Sequence, residues 1–130
     1  MPDRHWWITL ALSGACVVGL GAFAAHGLHD RLPERLSAAF VTGVRYQAWH
    51  TLAAMAVLAW RSQFPIPAQL LALKLWLVGV LLFSGSLYAM AMAGLAGAGL
   101  GPLGVITPIG GTLLLLGWLA LAWGLWRQPR

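Results

Sequence analysis

The rest of the chain has to accommodate Thr42–His50, TGVRYQAWH, which opens an apolar segment that runs on to Trp60. It holds an arginine, a glutamine and a histidine close together. A polar side chain in an apolar surrounding is costly unless it has a hydrogen-bond partner. The sequence therefore predicts that other helices pack around this segment and supply those partners.

The composition around this stretch is typical of a membrane protein. The chain has 130 residues, of which 60% are hydrophobic and 8% charged, and its mean hydropathy is +0.78, whereas soluble domains carry about 25% charged residues. This length predicts a single domain over residues 1–130. The net charge of +5 is not gathered into a basic cluster. This pattern argues against nucleic acid as a partner and indicates a lipid bilayer.

Four apolar segments are each long enough to cross a hydrocarbon layer of about 30 Å at about 1.5 Å per residue. They occupy residues 6–25, 40–60, 70–93 and 106–126. The predicted fold class is therefore all-α, a polytopic membrane protein with four transmembrane helices in a compact bundle. Between the first two spans lies a polar connection, residues 26–36, which includes His29. Pro33 followed by Leu36 and Phe40 predicts a short interfacial helix there.

The positive charges at the span ends predict the orientation. One side of the membrane receives Arg4, Arg61, Lys74, Arg127 and Arg130, and the other receives Arg31, Arg35 and Arg45. Because cytoplasmic loops carry an excess of Lys and Arg, the first side is expected to be cytoplasmic. The prediction is a multi-pass protein of the inner (plasma) membrane with both termini in the cytoplasm.

With this orientation, almost every polar side chain within the spans lies in the non-cytoplasmic half of the membrane. This candidate polar cluster or ligand pocket comprises His26, Thr42, Arg45, Tyr46, His50, Ser84, Ser86, Tyr88 and Thr107. His50 lies near the midplane, so we expect a neutral imidazole that is hydrogen-bonded to another helix.

Two pairs of residues in this cluster are each one helical turn apart. They are Tyr46 with His50 on the second span, and Ser84 with Tyr88 on the third. If these pairs face each other, the polar side chains of both helices have hydrogen-bond partners. We therefore expect the second and third spans to touch there, with Thr107 reaching the second span from the same leaflet.

Four segments, one in or beside each span, are characteristic in combination. They are Gly21–Leu28 (GAFAAHGL), Thr42–His50, Phe83–Tyr88 (FSGSLY) and Val105–Gly111 (VITPIGG). With these segments in this order, the chain resembles, over nearly its whole length, the domain-of-unknown-function 423 family. The resemblance implies a small integral membrane protein with four helices. It brings no established activity, so no catalytic residue is carried over.

The simplest interpretation of the polar cluster is hydrogen bonding between helices. The functional hypothesis that we favour is a structural, lipid-binding or accessory-subunit role. An outward-facing pocket that contains Arg45 would hold a lipid headgroup, a quinone-like ring or a helix of another membrane subunit. No cofactor or metal site is predicted, and Cys16 is interpreted as a small buried hydrophobic residue.

Two other classes of function remain open. A small transporter or channel for a hydrophobic or anionic solute, acting as an oligomer, would have only His50 as a proton carrier at depth, since no span contains a carboxylate. An enzyme would need a nucleophile and a base, and Ser84 or Ser86 with His50 is the pair available. We predict that the protein is not an enzyme.

Overall fold

The computed structural model describes residues 1–28 and 30–129, so His29 of the polar connection and Arg130 of the charge count lie outside the described residues. Four helices account for the regular structure of these ranges, which confirms the all-α class. They are α1 (Arg4–His26), α2 (Glu34–Arg61), α3 (Pro67–Leu95) and α4 (Leu103–Trp126). Each predicted span lies inside one helix.

Three of these helices, α1, α3 and α4, are long and apolar enough to cross a membrane. The remaining helix, α2, has 28 residues and is long enough, but it carries the charged residues Glu34, Arg35 and Arg45 and the polar residues between Thr42 and Thr51. Hydropathy alone therefore does not identify it as a span.

The separate interfacial helix between the first two spans is not confirmed. The described residues between α1 and α2 form turns, and α2 begins at Glu34 directly after Pro33 and continues to Arg61. No proline or glycine follows Pro33 until Gly43, so nothing interrupts the backbone hydrogen bonds and the amphipathic segment forms the first turns of α2. Leu36 packs against Gly94 at the end of α3.

The helices pack in chain order. Helix α1 packs on α2, α2 on α3, and α3 on α4, whereas the backbones of α1 and α3, and those of α2 and α4, do not come into close contact. We call the half of the bundle that contains the end of α1 and the start of α2 the upper half. Its core is Ala24, Leu28, Phe40 and Ala91, and the lower core is Leu10, Ala54, Val57, Leu58, Ala72, Leu73, Trp76 and Leu114. Because α2 and α3 form the centre, grooves remain between α1 and α3 and between α2 and α4.

Close packing of α4 on α3 depends on glycines. Gly110, Gly117 and Gly124 are seven residues apart, a spacing that keeps them on one side of the helix. A Cβ added to each would overlap α3, namely the Phe83 backbone, the Trp76 indole and the Ala68 side chain respectively. Gly110, the first of the three, belongs to the VITPIGG segment.

Candidate functional site

The buried side of α2 is set by the spacing of Gly43, Gln47, His50 and Ala54, which are four, three and four residues apart and therefore share one face. The missing side chain of Gly43 lets α3 approach, because a Cβ there would lie 2.9 Å from the Tyr88 ring and 3.4 Å from the Ser84 carbonyl oxygen. Helices α2 and α3 thus touch where expected.

The residue pairing across this contact differs from the prediction. Ser84 Oγ donates to the Gly43 carbonyl at 2.7 Å, and the Tyr88 hydroxyl donates to Gln47 Oε1 at 2.7 Å. Tyr46 is about 100° around the helix from Gln47. It packs instead against the Phe83 ring at 4.7 Å between centroids.

Gln47 joins three helices. Its Nε2 donates to the carbonyl and the hydroxyl of Ser13 on α1, at 3.2 and 3.1 Å, while its Oε1 accepts from Tyr88 on α3. Ser13 Oγ is also 2.7 Å from Thr51 Oγ1, back on α2. These four residues form a continuous hydrogen-bonded chain through the bundle, which we call the Gln47 network.

A second polar contact joins α3 to α4. Ser86 Oγ donates to the Phe83 carbonyl at 2.8 Å and lies 2.6 Å from Thr107 Oγ1. Thr107 therefore meets α3 rather than α2. The reason is that α4 packs on α3 along its length, which leaves α2 out of reach of a threonine side chain.

His50 is hydrogen-bonded to another helix, as expected, but that helix is α4. Its Nδ1 lies 2.7 Å from the Tyr46 carbonyl oxygen, which can only accept, and its Nε2 lies 3.0 Å from Trp118 Nε1, whose N–H can only donate. This pattern assigns the neutral tautomer with the proton on Nδ1. The Trp76 ring also lies against this pair, with its centroid 4.5 Å from that of Trp118 and 5.9 Å from that of His50.

The remaining predicted residues do not join these networks. His26 and Arg45 are exposed, and Thr42 donates to the Ala38 carbonyl of its own helix at 3.0 Å. Arg45 makes no ion pair or hydrogen bond with another described residue. Cys16, interpreted as buried, is exposed; it lines the groove between α1 and α3.

The candidate cluster left out five residues that carry interior hydrogen bonds, namely Ser13, Gln47, Thr51, Trp76 and Trp118, although partners were expected for the glutamine of Thr42–His50. Two of them had a usable signal. Gln47 lies four residues after Gly43 and three before His50, and Ser13 is one of two hydroxyl residues, with Thr9, in the apolar segment 6–25. The tryptophans had none, because an indole in an apolar helix is equally compatible with lipid contact.

Inside the described part of the chain, every buried side-chain nitrogen or oxygen has a hydrogen-bond partner. Ser84 and Ser86 donate to backbone carbonyls, and both nitrogens of His50 are occupied elsewhere. The serine–histidine pair considered from the sequence is therefore not assembled. Among residues 1–28 and 30–129, no three His, Cys, Asp or Glu side chains lie together as metal ligands would.

Two grooves open towards the surroundings of the bundle. One, of about 330 Å³, lies between α1 and α3 over the Gln47 network. The other, of about 580 Å³, lies between α2 and α4 and is lined mainly by the rings of Tyr46, Trp49, His50, Phe83 and Trp118. We call the second one the α2–α4 groove.

An all-α chain with three helices able to cross a membrane, joined by hydrogen bonds inside the bundle, is a small polytopic membrane protein. Residues 20–111 match the family described as protein of unknown function (DUF423), and the chain belongs to that family.

Related proteins are similar over most of their length. The UPF0382 membrane protein of Haemophilus influenzae is 45% identical over 93% of this chain and 94% of its own. The UPF0382 inner membrane protein YgdD of Escherichia coli is 37% identical over 100% of this chain and 95% of its own. The UPF0382 membrane protein YwdK of Bacillus subtilis is 34% identical over 85% and 87%. No solved structure matches the chain.

Proposed function

We propose that the protein spans the inner membrane four times, with both termini cytoplasmic, and that it binds an anionic membrane lipid rather than catalysing a reaction. The position of α2 supports the fourth span. It packs on both α1 and α3, which are themselves able to cross a membrane, and its length matches theirs. Gln47 and Thr51 bond to those two helices and His50 bonds to α4, so these three polar residues need not contact lipid.

The single observation that carries the binding role is the state of Arg45. This guanidinium is exposed on α2 inside the predicted span and has no partner among the described residues. In the proposed orientation it lies about one turn below the non-cytoplasmic surface, from where its side chain reaches the headgroup region. A guanidinium recognises phosphate through two parallel hydrogen bonds. Arg45 is therefore suited to bind the phosphate group of a lipid.

The hydrogen bonds in the interior of the bundle favour a structural role for the polar residues there. Because the buried polar atoms are already paired with one another, the Gln47 network and the Ser86–Thr107 contact act to hold the helices in place. They leave little hydrogen-bonding capacity for a substrate. We therefore assign the interior cluster a structural role and Arg45 the binding role.

Native mass spectrometry of the protein, extracted from its own membrane in mild detergent, tests this proposal. We expect a retained anionic phospholipid whose occupancy falls about fivefold in Arg45→Ala, since one basic residue near the headgroups contributes about 1 kcal/mol. Arg35→Ala is the matched control, because it removes an exposed arginine from the same helix but above the predicted span. Equal occupancy in Arg45→Ala and the unaltered protein would refute lipid binding at Arg45. A protein subunit lost on the same substitution, without any lipid, would instead assign an accessory-subunit role.

A further inference from the structure

We infer that the α2–α4 groove holds one acyl chain of the anionic phospholipid whose phosphate contacts Arg45. This inference rests on the proposed function and adds to it the position of the lipid tail.

The shape of the groove suits an elongated apolar group. The backbones of α2 and α4 do not come into close contact, and within the described chain the two helices share the hydrogen bond from Trp118 to His50. Trp49 and Leu115 are each 57% exposed and Trp118 is 46% exposed, yet all three line a concave surface with Phe83 behind them. A large apolar area is thus presented inside a cleft rather than on a convex face.

The depth of the groove lies within that of one leaflet. The lining residues of α4, from Gly111 to Trp118, rise about 10 Å, and half of a hydrocarbon layer of about 30 Å is about 15 Å. The Trp118–His50 hydrogen bond lies at the lower end of the groove, and Arg45 lies beyond its upper end. The groove therefore covers about two thirds of the distance that an acyl chain spans from the headgroup to the midplane.

The chemistry along the groove follows the order of groups in a phospholipid. At the top, Arg45 lies one helical turn above Trp49 on the same face of α2. Next come the Tyr46 hydroxyl and the Trp49 indole N–H, neither of which has a hydrogen-bond partner among the described residues, so both can donate to ester oxygens. At the bottom, the Trp118 N–H donates to His50 Nε2 and His50 Nδ1 is paired with the Tyr46 carbonyl, so these two rings offer apolar surface. Phosphate, ester and hydrocarbon chain would meet these three zones in turn.

A photoreactive lipid tests the inference. The protein is reconstituted in vesicles of phosphatidylethanolamine and phosphatidylglycerol, the latter carrying a diazirine near the end of one acyl chain, and is then purified in mild detergent before irradiation. Lipids that only surround the protein are removed by this step. We expect adducts, mapped by mass spectrometry of peptides, to concentrate on residues 46–50 and 111–118.

A substitution that fills the groove should displace the chain. Leu115→Trp is expected to lower groove adducts several-fold, and Leu115→Phe to lower them less. Leu116→Trp is the control, because Leu116 is exposed at the same depth but does not line the groove. Thermal unfolding of each variant, followed by circular dichroism, separates displacement of the lipid from loss of folding.

The outcomes separate the two proposals. Adducts that lie outside the groove would refute the inference that the groove holds an acyl chain, and so would adducts that Leu115→Trp and Leu116→Trp reduce equally. In either case the proposed function stands if Arg45→Ala still lowers lipid retention. Retention that Arg45→Ala does not change overturns the proposed function. Equal groove labelling by an uncharged-headgroup or phosphatidylethanolamine probe overturns the requirement for an anionic lipid.

Discussion

A single amide, that of Gln47, connects three helices. Its nitrogen and its oxygen are used in different directions, towards Ser13 on α1 and Tyr88 on α3. Hydrogen bonds between transmembrane helices contribute only about 0.6 kcal/mol on average, because the separated helices also find partners. Removing a shared residue costs more than one bond, since each partner that stays buried loses its own hydrogen bond.

We therefore expect Gln47→Leu to lower the free energy of unfolding by about 1–3 kcal/mol, as measured by titration with sodium dodecyl sulfate in mixed micelles and followed by tryptophan fluorescence. Gln63→Leu, at an exposed position after α2, should change it by less than about 0.5 kcal/mol. The loss in Gln47→Leu combined with Tyr88→Phe should be smaller than the sum of the single losses. Additive losses would show that the two residues are not coupled.

At the scale of elements, the contact between α3 and α4 depends on the absence of side chains. Gly110 brings the two backbones together at Phe83, and Gly79 on α3 receives Leu114, whose Cδ2 would lie 2.6 Å from an added Cβ. Where lipid tails are as apolar as leucine, close backbone approach and dispersion contacts provide much of the attraction between helices. The seven-residue glycine spacing is thus the basis of the α3–α4 pair.

Gly110→Ala is expected to destabilise this pair. The added Cβ would overlap backbone atoms, which move less readily than a side chain, so a loss of about 1–3 kcal/mol is expected from overpacking. Gly104→Ala, also in α4, meets no atom within 4 Å and should be neutral or stabilising by up to about 1 kcal/mol through helix propensity. The same detergent titration measures both, and a Gly110→Ala protein as stable as the Gly104→Ala protein would contradict the packing argument.

At the scale of the whole molecule, packing in chain order makes α2 and α3 the central pair. Helices α1 and α4 lie on different central helices, and each leaves a groove beside it. Such a bundle covers the polar side of α2 from two directions, which is why a helix of low hydropathy fits among three apolar ones. The number of spans then decides whether the two termini are on the same side of the membrane.

Reporter fusions measure this directly. With four spans and the proposed orientation, green fluorescent protein fused at either terminus should fluoresce in the cytoplasm, and alkaline phosphatase inserted after Ala98, between α3 and α4, should be active. If α2 does not cross the membrane, the termini will lie on opposite sides. Active alkaline phosphatase at both termini would preserve the four spans and reverse the orientation.

The extent of the helices was predictable because it depends on local properties. Apolar segments of spanning length, interrupted by Pro65 and Pro67 and by the glycines before Leu103, place both ends of α1, α3 and α4 to within three residues. The start of α2 was predicted less well, because α2 begins at Glu34, six residues before the predicted span. The partners of Thr42–His50 were less predictable. The face that Gly43 and Gln47 share could have been found from spacing, but whether α3 or α4 supplies the partner of His50 could not.

The amino-acid sequence is sufficient to predict a four-helix membrane protein whose second helix needs polar partners from its neighbours. Segment length and hydropathy predict the helices, and the cost of unpaired polar groups in an apolar medium predicts the need for partners. Three further features follow from tertiary packing alone: Gln47 joins three helices, Trp118 donates to His50, and Arg45 has no partner among the described residues. Those outcomes depend on which backbones can approach closely, and that depends on how glycines of one helix meet side chains that are distant in the sequence.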